Sequence, residues 1–174
     1  MNNFRRMAGF TLVELMVVLM VLGIITAMGV PSFNTMIKNN RMVTMTNDLN
    51  GTLQYARAEA VRRGGAVQVS AIDGDVNNGL RVWVNENADK AYNSGTDTEL
   101  RVLRIDLAQI ELDADVGTTP MENLDFTFNA RGESSLGDIL SLGLCDDRDG
   151  LYGRQLQMLV SGAVRLQKDT ACTK

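Results

Sequence analysis

The hydrophobic pattern of this chain changes twice. From Phe10 to Val30 apolar residues run almost unbroken, with Glu14 as the one charge among them. As a helix rising about 1.5 Å per residue, these 21 residues span about 32 Å, close to the thickness of a hydrocarbon core. After Pro31 the pattern stays helical but becomes amphipathic. Met42, Met45, Leu49, Leu53, Ala56 and Ala60 recur at spacings of three and four, with Asn40, Thr44, Asn47, Asn50 and Arg57 on the other faces. Gly64-Gly65, just behind Arg62 and Arg63, supplies a stop signal. A continuous helix from Phe10 to Arg63 has 54 residues, about 80 Å, and must project past the membrane as a rod.

From Val67 the period falls to two. Val67–Ile72, Leu80–Asn85, Leu100–Ile105, Leu124–Asn129, Arg154–Val160 and Ala163–Lys168 read as strands. The connections are rich in Gly, Asn and Asp, and Ser161-Gly162 joins the last two strands as a tight hairpin, though in an order that favours no standard primed turn. The chain is therefore expected to be α+β, with a long N-terminal helix whose outer half packs on an antiparallel sheet. The expected organisation is a leader over 1–9, a membrane helix over 10–30, its amphipathic continuation over 31–63 and a β-rich domain over 64–174.

Charge sets the orientation. Arg5 and Arg6 are the only charges in the first nine residues, which keeps that end cytoplasmic and sends everything after Val30 outward. A cleaved secretory signal has a shorter apolar region with its small residues behind it, whereas here Ala8 and Gly9 stand in front. Residues 34–63 carry a net charge of +3, while residues 64–174 carry ten basic and eighteen acidic side chains. An outward domain of that sign argues against broad nucleic-acid affinity. Cys145 and Cys172 both lie on the outward side, where a disulfide is the simplest state and two free thiols the alternative.

Glu14 demands a partner, because a charge at membrane depth costs about 2.5–3.5 kcal/mol even on lenient scales. The stretch Gly9-Phe10-Thr11-Leu12-Val13-Glu14, behind a basic leader and ahead of an apolar helix, resembles the class III signal of type IV pilins and pseudopilins. The resemblance implies that a prepilin peptidase cuts between Gly9 and Phe10 and that the new amino terminus at Phe10 is N-methylated. It makes Glu14 the acidic position of the mature subunit and Pro31 the helix kink. The amine at Phe10 of one subunit would then neutralise Glu14 of its neighbour inside a bundle of apolar helices. The alternative is that Glu14 sits near the interface and snorkels outward.

Leu53-Gln54-Tyr55-Ala56-Arg57, continuing through Glu59 and Ala60 to Gly64, is similar to the end of the long helix in the GspH/FimT family. The later pattern, Phe126 to Gly132, Cys145, then Gly162 and Arg165, resembles the same family. Membership implies a pilin-like fold and a low-copy filament subunit near the tip that helps initiate assembly, partnered by other pilins or pseudopilins. It implies a single-pass inner-membrane protein with its C-terminal domain in the periplasm. The reading is a minor pilin of the FimT/FimU kind, with the H-type pseudopilin of type II secretion as the alternative. A membrane-anchored binding domain that never polymerises is a reading of a different class.

Other chemistry finds less support. Relatives that bind DNA for transformation use a G-R-x-R turn, but here Ala163 stands where the first arginine belongs, although Arg154, Arg165, Lys168 and Lys174 remain available. Asp73, Asp75 and Asn77 imitate the start of a calcium loop, yet Asn78 and Val84 replace its glycine and glutamate, so a hairpin loop is expected. Asp147 and Asp149 are read as a turn beside the cysteines. With no histidine, no nucleophile beside a base and no phosphate loop, the expectation is a protein without catalytic residues, cofactor or metal. Met36, Met42 and Met45 are expected to pack in the helix stripe, and Trp83 in the core or on a hairpin face.

Overall fold

A computed structural model describes residues 9–105 and 110–173; Arg5, Arg6 and Lys174 lie outside the described residues. One helix, α1 (Leu12–Arg63), precedes β1 (Val67–Ile72), β2 (Asp75–Val84), β3 (Thr98–Arg104), β4 (Glu111–Val116), β5 (Thr119–Pro120), β6 (Asp125–Phe128), β7 (Leu140–Cys145), β8 (Gly150–Met158) and β9 (Val164–Cys172). The chain divides into two compact units, Met1–Lys38 and Asn39–Lys174.

In the first unit every described residue from Gly9 to Ile37 is exposed. Its most apolar window has a mean hydropathy of 2.4, with none of it buried. A helix apolar on all sides has no aqueous face, so its natural surroundings are lipid or other apolar helices. Two of its threonine hydroxyls bond back onto the helix: Thr26 donates to the carbonyls of Leu22 (2.9 Å) and Gly23 (3.0 Å), and Thr35 to that of Pro31 (3.2 Å). The helix continues through Pro31, where the ring removes one backbone donor. Met36 is 59% exposed, contrary to the expected packing role, because its unit contains no sheet for it to meet.

The second unit follows the aqueous rule. Its helical part buries Met42, Thr46, Leu49, Thr52, Leu53, Ala56 and Ala60 along one stripe, while Met45 is half-buried. Two threonines stand in that apolar row. The Thr46 hydroxyl donates to the Met42 carbonyl at 2.6 Å, whereas the buried Thr52 Oγ1 has no hydrogen-bond partner. The helix ends as the glycine pair requires. Gly64 takes a φ of 82° and the Gly65 N–H donates to the Ala60 carbonyl at 2.7 Å, the six-to-one bond of a Schellman motif.

The strands form two antiparallel sheets rather than the one expected, in the orders β3-β2-β1-β6 and β5-β4-β7-β8-β9. Helix stripe and sheets share one core. Val67, Val69, Val82, Phe126 and Phe128 line it from the first sheet, and Leu112, Leu142, Leu144, Leu156 and Met158 from the second. The Asn77 side chain bridges the sheets by accepting the Leu112 N–H at 2.9 Å. Strands β4, β5 and β7 add to those expected from the sequence.

Two turns refine the expected connections. The β1–β2 loop shrinks to Asp73-Gly74, both at positive φ, the signature of a type I′ turn. Asp75 and Asn77 then belong to β2, so the calcium-loop likeness dissolves into a strand. At the β8–β9 hairpin Gly162 donates its N–H to the Leu159 carbonyl and lies at a φ of 77°. That is a three-residue loop closed by a left-handed glycine. Trp83 is buried on the sheet face opposite the helix, its ring 5.6 Å from Tyr92 and its Nε1 donating to Ser70 Oγ at 3.0 Å.

Candidate processing and assembly site

The residues singled out at the N-terminus sit on the helix start. Gly9, Phe10 and Thr11 are non-helical, and α1 begins at Leu12. Thr11 Oγ1 accepts the Glu14 N–H at 3.2 Å, and the Thr11 carbonyl accepts the Leu15 N–H at the same distance. Thr11 is thus the N-cap and Glu14 the third helical residue, which is the T-x-x-E pattern of a capping box. Sequence reading passes over this role for Thr11, although the spacing states it. Glu14 is exposed in the first turn, where the positive end of the helix dipole favours a carboxylate.

In the second unit, residues far apart in sequence converge on Arg57. Its Nε donates to the Gly132 carbonyl at 3.0 Å and its Nη2 to the Ser161 carbonyl at 3.2 Å. The two loops it grips also touch each other, with the Ser134 N–H donating to the Val160 carbonyl at 2.8 Å. Space here is minimal. A Cβ on Gly162 would strike the Gly132 carbonyl and Arg57, and one on Gly132 would lie 2.8 Å from Arg57 Nε. Two residues farther along the helix, Glu59 accepts from Arg62 (2.6 Å) and Arg63 (2.9 Å). These hydrogen bonds hold its carboxyl down to about 2.

Cys145 and Cys172 form a disulfide with a Cα–Cα distance of 5.7 Å. They end β7 and β9, the strands on either side of β8, which is bulged between Gly150 and Arg154. A Cβ on Gly153 would lie 2.8 Å from Cys172 Sγ, so the bridge depends on a glycine there. The following turn is held by Arg148, which grips the buried Asp146 through Nη2 at 2.5 Å and donates to Asn39 Oδ1 at 2.9 Å. Among the described residues no group of three acidic or cysteine side chains is placed to hold a metal.

Among the described residues the basic side chains near the C-terminus gather only in part. Arg154 and Lys168 are cross-strand partners on the core side of the second sheet, together with the rungs Leu156–Leu166 and Met158–Val164. Arg165 pairs with Gln157 on the opposite face. The outer face carries Glu111, Asp113 and Asp115 on β4, and partial burial followed by the two neighbouring carboxylates raises the Asp113 carboxyl.

The family profile described as type II transport protein GspH matches residues 45–163, more than half of the chain. The chain belongs to the GspH family. A second profile, the prokaryotic N-terminal methylation motif, matches residues 4–30. Among solved structures the chain is similar to the type IV minor pilin FimU of Pseudomonas aeruginosa strain PAO1. One FimU crystal form is 24% identical with a TM-score of 0.59, covering 76% of this chain and 93% of that one. Another is 25% identical with a TM-score of 0.56, covering 75% and 97%. No curated protein matches the chain.

The GspH match gives the Arg57 cluster its context. Arg57, Gly132 and Gly162 all fall within the matched span, and their shared geometry is architectural: one guanidinium locks two turns to the helix. The pilin fold of the GspH chain is therefore carried by residues of the second unit, whereas the methylation motif lies wholly in the first.

Proposed function

We propose that this protein is a minor type IV pilin, an assembly subunit rather than an enzyme. Its apolar helix is retained after cleavage between Gly9 and Phe10, N-methylated at Phe10 and kinked at Pro31. Glu14 is the observation that carries the reading: a single carboxylate in the first turn of a helix whose side chains from Leu12 to Ile37 are all exposed and largely apolar. Such a helix leaves lipid only by packing on others, and a buried Glu14 then needs the amine of a neighbouring subunit. Breaking a buried ion pair by removing one partner costs about 3–5 kcal/mol. The outcome is subunit register in a heterologous, non-closing helical assembly at the inner membrane.

The full chain with Glu14→Ala is expected to insert into membrane at wild-type levels and to be lost from sheared filaments. Unchanged incorporation overturns the docking role. The GspH description favours a second reading, a pseudopilin of type II secretion. A deletion strain scored for surface pili with twitching and for exoprotein secretion separates the two, and loss of secretion alone selects the second.

A further inference from the structure

We infer that Thr11 is a positioning residue for processing, because it ends the helix before the bond that is cut. The inference rests on the proposed cleavage between Gly9 and Phe10. Hydrolysis there adds water across the Gly9 carbonyl and the Phe10 nitrogen, leaving a carboxylate on Gly9 and a free amine on Phe10. A protease must reach that carbonyl and lay the flanking backbone out in its cleft. A helix denies both, since its carbonyls point along the axis into the ladder and its side chains surround the backbone.

The apolar run itself supplies no stop. Phe10, Leu12 and Val13 lead straight into 52 residues of helix, and one further helical turn upstream of Leu12 would take in the Gly9–Phe10 bond. Gly9 weakens such a turn but lies on the far side of that bond. The Thr11 hydroxyl, bonded at 3.2 Å to the Glu14 N–H, holds Thr11 at the N-cap, a position with non-helical backbone angles. Gly9 and Phe10 are accordingly non-helical. The cap also ties the two ends of the motif together, since its donor is the backbone of Glu14. A substrate altered at Thr11 therefore changes the shape of the scissile segment without changing Gly9, Phe10 or the Glu14 carboxylate.

The test co-expresses the full chain with a prepilin peptidase and follows the mature N-terminus by mass spectrometry over time. Thr11→Val keeps the shape and removes the cap, whereas Thr11→Asn keeps a cap without the hydroxyl. Resistance to alkaline extraction checks that each variant is inserted. Thr11→Val is expected to be processed about fivefold more slowly, and Thr11→Asn at close to the wild-type rate. Wild-type speed in Thr11→Val overturns the inference, as does equal slowing in both variants, which would mean that the peptidase reads the threonine side chain itself. A wild-type chain not cut after Gly9 overturns the underlying cleavage instead.

Discussion

One helix runs through two units that obey opposite rules. In the first, Leu12, Leu15, Leu19 and Ile24 are all more than half exposed; in the second, Leu49 and Leu53 are sealed. The difference cannot lie in backbone preference, since both stretches are helical and rich in good helix formers. It lies in what each stretch meets. The second unit carries its own partner surface in two sheets, whereas the first is apolar on every side and finds its partner surface elsewhere. Stability and assembly are therefore separable along a single element, and substitutions sort by unit.

The sharpest break is a pair of leucines. Leu53→Ala removes a sealed core side chain and should cost about 2–5 kcal/mol in denaturant unfolding of the second unit. Leu19→Ala should leave that transition within about 0.5 kcal/mol. A large effect of Leu19→Ala would erase the distinction. Next comes the disulfide, with cysteines 27 residues apart. Replacing both with serine should lower stability by about 3 kcal/mol on the loop-closure model, measured against the oxidised wild type.

Arg57 follows. Arg57→Met keeps much of the stem but leaves two turn carbonyls without their charged donor, at a cost of about 2 kcal/mol. Arg57→Lys should recover less than half of that, because one ammonium replaces a fork reaching two loops. The smallest effect has the opposite sign. Thr52→Val removes a buried hydroxyl with no partner and should stabilise the second unit by up to about 1 kcal/mol, seen as a raised unfolding midpoint.

The long helix, its stop and six strands are legible in the sequence because their periods are unmixed. The misses have physical causes. Strand β7 alternates Leu140, Leu142 and Leu144 with Ser141, Gly143 and Cys145, residues that elsewhere mark turns. An uncovered outer face tolerates such small side chains, so they say little about the strand. Strand β4 hides its inward Leu112 and Ala114 between three carboxylates for the same reason. Thr46 and Thr52 break the apolar stripe on paper, yet both are buried, since a hydroxyl can turn back on its own helix, as Thr46 does. At the N-terminus both the methylation motif and the T-x-x-E spacing of Thr11 and Glu14 are readable, and the start of the helix at Leu12 makes Thr11 its cap.

The disulfide has a consequence beyond its energy. Cys145 and Cys172 end strands that meet only through β8, so in the folded protein the bond ties β7 to β9 across the strand between them. A slip of one residue in β9 would turn Cys172 to the other face. The bond thus works as a register pin: it is compatible with the alignment of the final strand that keeps Cys172 on the side of Cys145, and with the bond closed a one-residue slip is opposed.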